Sequence, residues 1–135
     1  MMEEKPMYKI MVIDDDAEVI ENITMILKGE DISVEARETT QGAVEELKAV
    51  KPDLLILDVM FPESPAGGFD LAREIRETKE LKDLPIILLT AINQELPMDF
   101  SSKDIDDEWM PVQKLMEKPV HLAELREAVK ELLKK

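Results

Sequence analysis

The sequence predicts an α/β fold built on one open parallel sheet with helices on both faces. Three observations carry this. Leu54 to Leu57 is an unbroken apolar run between Pro52-Asp53 and Asp58; a run with no polar alternation belongs to a strand buried on both faces, as in a parallel sheet. Tyr8 to Ile13 and Pro85 to Leu89 are two further runs rich in β-formers, and each also stops at a polar residue. Between such runs lie segments whose apolar residues recur at helical spacing, and strands alternating with helices imply right-handed crossovers.

Taken in order, the first strand is Tyr8 to Ile13, halted by Asp14-Asp15-Asp16. Val19, Ile20, Ile23, Ile26 and Leu27 then mark an amphipathic helix with Gly29 as its stop. Asp15 lies three residues before Glu18, which is capping-box spacing. Ile32 to Ala36 is a second, weaker strand. Thr39 or Thr40 is placed to cap a helix carrying Ala43, Val44, Leu47 and Val50 inward. The third strand ends in Asp58. Phe61 to Phe69, with two prolines and two glycines, reads as a loop. Asp70 to Lys79 is helical, with Leu71, Ala72 and Ile75 on one side. The fourth strand runs from Pro85 to Thr90. Asn93 to Val112 is irregular: Pro97 and Pro111 bracket Ser101-Ser102 and the acidic run from Asp104 to Glu108, so a fourth helix there is expected to be short or irregular. Lys114 to Glu117 is a fifth strand leading into Lys118-Pro119. Leu122, Leu125, Ala128, Val129, Leu132 and Leu133 mark a final helix, and Lys134-Lys135 suit the negative end of its dipole. Five parallel strands fit the doubly wound, flavodoxin-like order 2-1-3-4-5.

The chain has 135 residues, enough for one domain with one core, and no repeat or linker divides it. Its net charge of −14 speaks against direct nucleic-acid binding, which needs a basic stripe, and against docking on anionic membranes. No apolar run is long enough to span a bilayer, and Met1 to Tyr8 lacks the apolar core of a signal peptide. A cytoplasmic location is therefore expected. Cysteine is absent and His121 is the only histidine. That excludes a multi-histidine metal site and a histidine-based triad, so any metal is a hard cation held by oxygen.

The residues that end the strands carry the chemistry. Asp14 and Asp15 follow the first strand, Asp58 the third, Thr90 the fourth and Lys118 the fifth. In the 2-1-3-4-5 order the first and third strands are neighbours at the switch point, where open α/β sheets bind ligands. Asp14, Asp15 and Asp58 would converge there. Three adjacent carboxylates cannot all ionise unless a cation joins them or their pKa values rise; a cation is the economical answer, and Mg²⁺, held by few protein oxygens and several waters, suits the place best, with Mn²⁺ as a second option. A lysine and a hydroxyl flanking the same spot are what phosphoryl oxygens require. Taken singly, each residue has a plain structural reading: a helix cap for Asp14 to Asp16, a turn for Asp58, a strand-end hydroxyl for Thr90, a surface lysine for Lys118. Their coincidence on one edge is what argues for a site.

The motifs Val12-Ile13-Asp14-Asp15-Asp16, Leu57-Asp58-Val59-Met60-Phe61-Pro62, Leu89-Thr90-Ala91 and Glu117-Lys118-Pro119, in this order and spacing, resemble the receiver domain of two-component response regulators. The resemblance covers nearly the whole chain. It implies that Asp58 is the phosphoacceptor and that Asp15, Asp58 and the Met60 backbone carbonyl ligate Mg²⁺, with Asp14 acting through water. Thr90 and the Ala91 N–H would bind phosphoryl oxygens, Lys118 would pair with them, and Pro119 would follow a cis peptide bond. The implied partners are a sensor histidine kinase or phosphotransfer protein and a downstream protein target, in phosphorelay signal transduction. A homodimer is left open. On this resemblance the chain is no enzyme beyond catalysing its own phosphorylation and dephosphorylation.

Some features depart from the family pattern. The segments from Pro62 to Gly68 and from Thr90 to Lys118 are longer than usual, through tolerated surface insertion or a reshaped docking face with Trp109, Met110 and Pro111 as its contacts. Leu115 stands where many receivers carry a switch aromatic. Met60 and Ile92 are apolar where relatives place polar side chains that assist the hydrolytic water, so a slowly decaying acyl phosphate is expected. The reading is a single receiver domain over residues 1–135 with no output domain, stand-alone or excised from a larger protein. Three alternatives stand beside it: a phosphorylation-independent scaffold of the same fold, a Mg²⁺-dependent phosphatase acting through an aspartyl phosphate, and a nucleotide- or flavin-binding protein. Intact Asp15, Asp58 and Lys118 oppose the first. The missing acid after Asp58 and the missing cap segment oppose the second. The absence of a glycine-rich loop after the first strand opposes the third.

Overall fold

The apolar runs become the three central strands of one sheet. A computed structural model describes residues 8–27, 32–59, 67–91, 114–118 and 121–133, with Phe69, Thr90, Ala91, Lys114, Leu115, Glu117, Lys118 and Leu122 described by backbone alone. Strands β1 (Tyr8–Ile13), β2 (Ile32–Arg37), β3 (Leu54–Asp58), β4 (Ile86–Ala91) and β5 (Lys114–Lys118) pair in the order β2-β1-β3-β4-β5. All four pairings are parallel. Each strand of β2, β4 and β5 runs one residue past its expected end.

Because side chains alternate across a strand, the sheet divides the core into two layers. Met11, Ile13, Leu55, Leu57, Ile86 and Leu88 pack with Ala43 and Leu47 of α2 (Ala43–Val50) and Leu71, Ala72 and Ile75 of α3 (Gly67–Arg76). Ile10, Val12, Leu54, Ile56, Ile87 and Leu89 pack with Ile23 and Leu27 of α1 (Ala17–Leu27) and Leu125, Ala128, Val129 and Leu133 of α4 (Leu122–Leu133). Every residue of β3 is buried, as an apolar run without alternation requires.

Three helix starts differ from expectation. Asp16, not Asp15, caps α1: its Oδ1 accepts the Glu18 N–H at 3.0 Å and its carbonyl accepts the first helical bond from Ile20. The reason is register, since a cap must directly precede the first helical residue, which is Ala17. Neither threonine caps α2. Thr39 Oγ1 accepts the Gln41 N–H at 3.1 Å, which forms the turn ahead, and the cap position falls to Gly42 in a left-handed conformation, φ 70°. Finally, α3 begins at Gly67 and not Asp70, inside the stretch read as loop, and a short 3₁₀ turn (Lys79–Leu81) follows it. The expected stop at Gly29, the Asn93–Val112 segment and Lys134-Lys135 lie outside the described residues.

Candidate functional site

Parallel pairing puts the carboxyl ends of all five strands on one edge, and register then sets their tips level. Ile13 lies opposite Leu57, so Asp14, the next residue, stands beside Asp58. Asp14 continues the alternation of Ile10 and Val12, and Asp58 that of Leu54 and Ile56, so both belong to the side of the sheet covered by α1 and α4. Asp15 follows at once. One carboxylate oxygen from each of Asp14, Asp15 and Asp58 lies within 4.8 Å of the others.

The three acids differ in exposure. Asp14 is fully buried and Asp58 is 4% exposed, whereas Asp15 is open to solvent. Backbone amides hold the two buried groups. The Asp16 N–H donates to Asp14 Oδ1 at 2.9 Å, and the Val59 N–H donates to Asp58 Oδ1 at 3.0 Å. The Asp14 N–H donates to the Arg37 carbonyl at 3.1 Å, which extends the β1–β2 ladder past its last strand residue. With Asp16 committed to capping α1, Asp15 is left for the cluster. An all-carboxylate set, two members buried and one facing water, fits a hard oxygen-seeking cation that keeps part of its hydration shell.

The remaining expected residues divide into two groups. Thr90 and Ala91 are the last two residues of β4, Lys118 is the last of β5, and Ala91 pairs with Lys118, so the backbone brings all three to the same edge as the acids. Met60, Ile92, Pro119, Trp109, Met110 and Pro111 lie outside the described residues. Sequence reading missed one participant, Gly68. Its N–H donates to the Val59 carbonyl at 2.8 Å, and a Cβ there would collide with the Asp58 carbonyl oxygen. The signal is present in the Gly67-Gly68 pair, which lies within the segment that the sequence reads as a loop.

A cavity of about 490 Å³ opens at the opposite edge of the sheet. Lys48, Lys51 and Lys79 face Asp53, Glu80 and Asp83 there, so the lining carries no net sign and does not compete with the acidic cluster as a metal site.

The response regulator receiver domain family model matches residues 10–130. This chain belongs to that family. The receiver is 31% identical over 127 residues to the response regulator MprA of Mycolicibacterium vanbaalenii, covering 94% of this chain and 51% of the relative. It thus spans about half the length of the curated relatives it matches. Among solved structures, a Chloroflexus aurantiacus J-10-fl protein assigned to the response regulators superposes with a TM-score of 0.80 at 29% identity, covering 97% of this receiver and 100% of that chain. The receiver domain of a signal transduction histidine kinase from Syntrophus aciditrophicus gives 0.77 at 28% identity, covering 93% and 89%. Among the described residues no helix is long and apolar enough to cross a membrane.

Proposed function

We propose that this receiver accepts a phosphoryl group on Asp58 from the phosphohistidine of a sensor kinase or phosphotransfer protein, and signals through altered protein contacts. One observation carries the reading: in a receiver fold, the Asp14, Asp15 and Asp58 carboxylates come within 4.8 Å of one another on the edge where the strands end. A related receiver that is itself part of a histidine kinase supports the choice of donor.

On this reading an Asp58 carboxylate oxygen attacks phosphorus in line. The new O–P bond forms as the P–N bond to the donor imidazole breaks, which leaves an acyl phosphate. The Val59 N–H holds the other end of the carboxylate. Asp15, Asp58 and the Met60 carbonyl would hold Mg²⁺, with Asp14 acting through water. When bound, Mg²⁺ neutralises charge accumulating on the phosphoryl oxygens. Lys118, Thr90 and the Ala91 N–H are the groups that would receive those oxygens. The chain turns over no separate substrate, and loss of the acyl phosphate by hydrolysis resets it.

Incubation with Mg²⁺ and a small phosphodonor, followed by intact mass measurement, tests the reading. A single phosphoryl adduct is expected in the wild type and none in Asp58→Asn. An adduct that persists in the variant moves the site elsewhere, and no adduct in either favours a phosphorylation-independent scaffold.

A further inference from the structure

The Val59 peptide is the point where the acceptor, the sheet and α3 meet. Its N–H lies 3.0 Å from the Leu89 carbonyl of β4 and 3.0 Å from Asp58 Oδ1. Its carbonyl accepts the Gly68 N–H at 2.8 Å, from the first turn of α3. The same glycine presses on the acceptor backbone. A Cβ at Gly68 would collide with the Asp58 carbonyl oxygen and would lie 2.8 Å from Val59 Cα and 2.9 Å from the Asp58 carbonyl carbon. Gly68 is helical, so glycine is demanded here by space and not by a left-handed backbone.

We infer that Gly68 is a positioning residue for the acceptor: through the Val59 backbone, the first turn of α3 sets where the Asp58 carboxylate stands. The inference deepens the phosphoacceptor reading and rests on it. Backbone atoms cannot swing aside as a flexible side chain can. Nor can α3 retreat freely, because Leu71, Ala72 and Ile75 fix it in the core. The displacement caused by a methyl group at position 68 therefore falls on the Asp58–Val59 peptide, one bond from the Asp58 Cα that carries the acceptor. Coupling of this kind is reciprocal. A cation that fixes the Asp58 carboxylate must also steady the Gly68 N–H bond, so α3 senses the state of the acidic site from its first residues.

Calorimetric Mg²⁺ titration of wild type, Gly68→Ala and Leu84→Ala, together with thermal melts of each, separates positioning from mere stability. Leu84 is buried in the same core layer but lines the cavity at the opposite edge of the sheet. Gly68→Ala is expected to weaken Mg²⁺ about tenfold or more, as supporting residues of metal sites do, while Leu84→Ala lowers the melting temperature and leaves affinity unchanged. Unchanged affinity in Gly68→Ala, or equal weakening in both variants, overturns the inference. If Gly68→Ala does not fold, hydrogen exchange of the wild-type Gly68 amide decides: slowing on addition of Mg²⁺ supports the coupling, and no change refutes it. A wild type that binds no Mg²⁺ and takes no phosphoryl adduct removes the phosphoacceptor reading itself. Binding in the wild type with an unaltered Gly68→Ala removes only the role of Gly68.

Discussion

Replacing Asp58 by Asn should make the metal-free protein more stable and abolish most of its stabilisation by Mg²⁺. Asp14 and Asp58 are both buried, and their oxygens lie no more than 4.8 Å apart. At an effective dielectric of about 20, two like charges at that separation repel by roughly 3 kcal/mol. Water reaching the cluster beside exposed Asp15 screens part of this, so a gain of about 2 kcal/mol is the working figure. Asn retains an Oδ1 acceptor for the Val59 N–H, so the exchange removes charge and keeps the hydrogen bond. For a chain of this length, that gain raises the melting temperature by about 6–10 °C. Mg²⁺ at about a hundred times its dissociation constant stabilises the wild type by about 2.7 kcal/mol, which closes the gap. The assay is thermal denaturation by circular dichroism at low ionic strength, with EDTA or with excess Mg²⁺. Asp58→Asn melting below the wild type in EDTA would refute the repulsion argument. An equal Mg²⁺-dependent rise in both proteins would refute Asp58 as a ligand.

Further predictions separate neighbouring residues by role. Asp16→Ala removes the α1 cap and should lower stability by about 1 kcal/mol with Mg²⁺ affinity nearly intact; Asp15→Ala should do the reverse, and melting curves with calorimetric titration distinguish the two. Lys51 adopts a left-handed conformation, φ 55°, at the end of α2, so Lys51→Gly should raise the unfolding free energy in urea by about 0.5–1 kcal/mol. Met60→Asn should shorten the acyl-phosphate half-life, followed by loss of the adduct mass with time; a decay no faster than the wild type's would count against apolar shielding of the hydrolytic water.

The fold was legible because strand burial is written in local composition. A run such as Leu54 to Leu57 belongs between two covering layers, and strands alternating with helices then point to a parallel sheet. The acidic cluster was legible for the same reason: Asp14, Asp15 and Asp58 directly follow or end their strands, and parallel strands share one carboxyl edge. Other features were not written in local composition. Which aspartate caps α1 depends on where the helix begins, by a single residue, and capping-box spacing pointed to Asp15 when Asp16 holds the place. The start of α3 and the need for glycine at position 68 depend on how closely that helix approaches the Asp58–Val59 peptide. Residue types along the chain determine which segments are buried and where charge accumulates, since both follow from transfer out of water. Separations of an ångström between backbone segments follow only from packing of the whole, and there the tertiary structure had the deciding word.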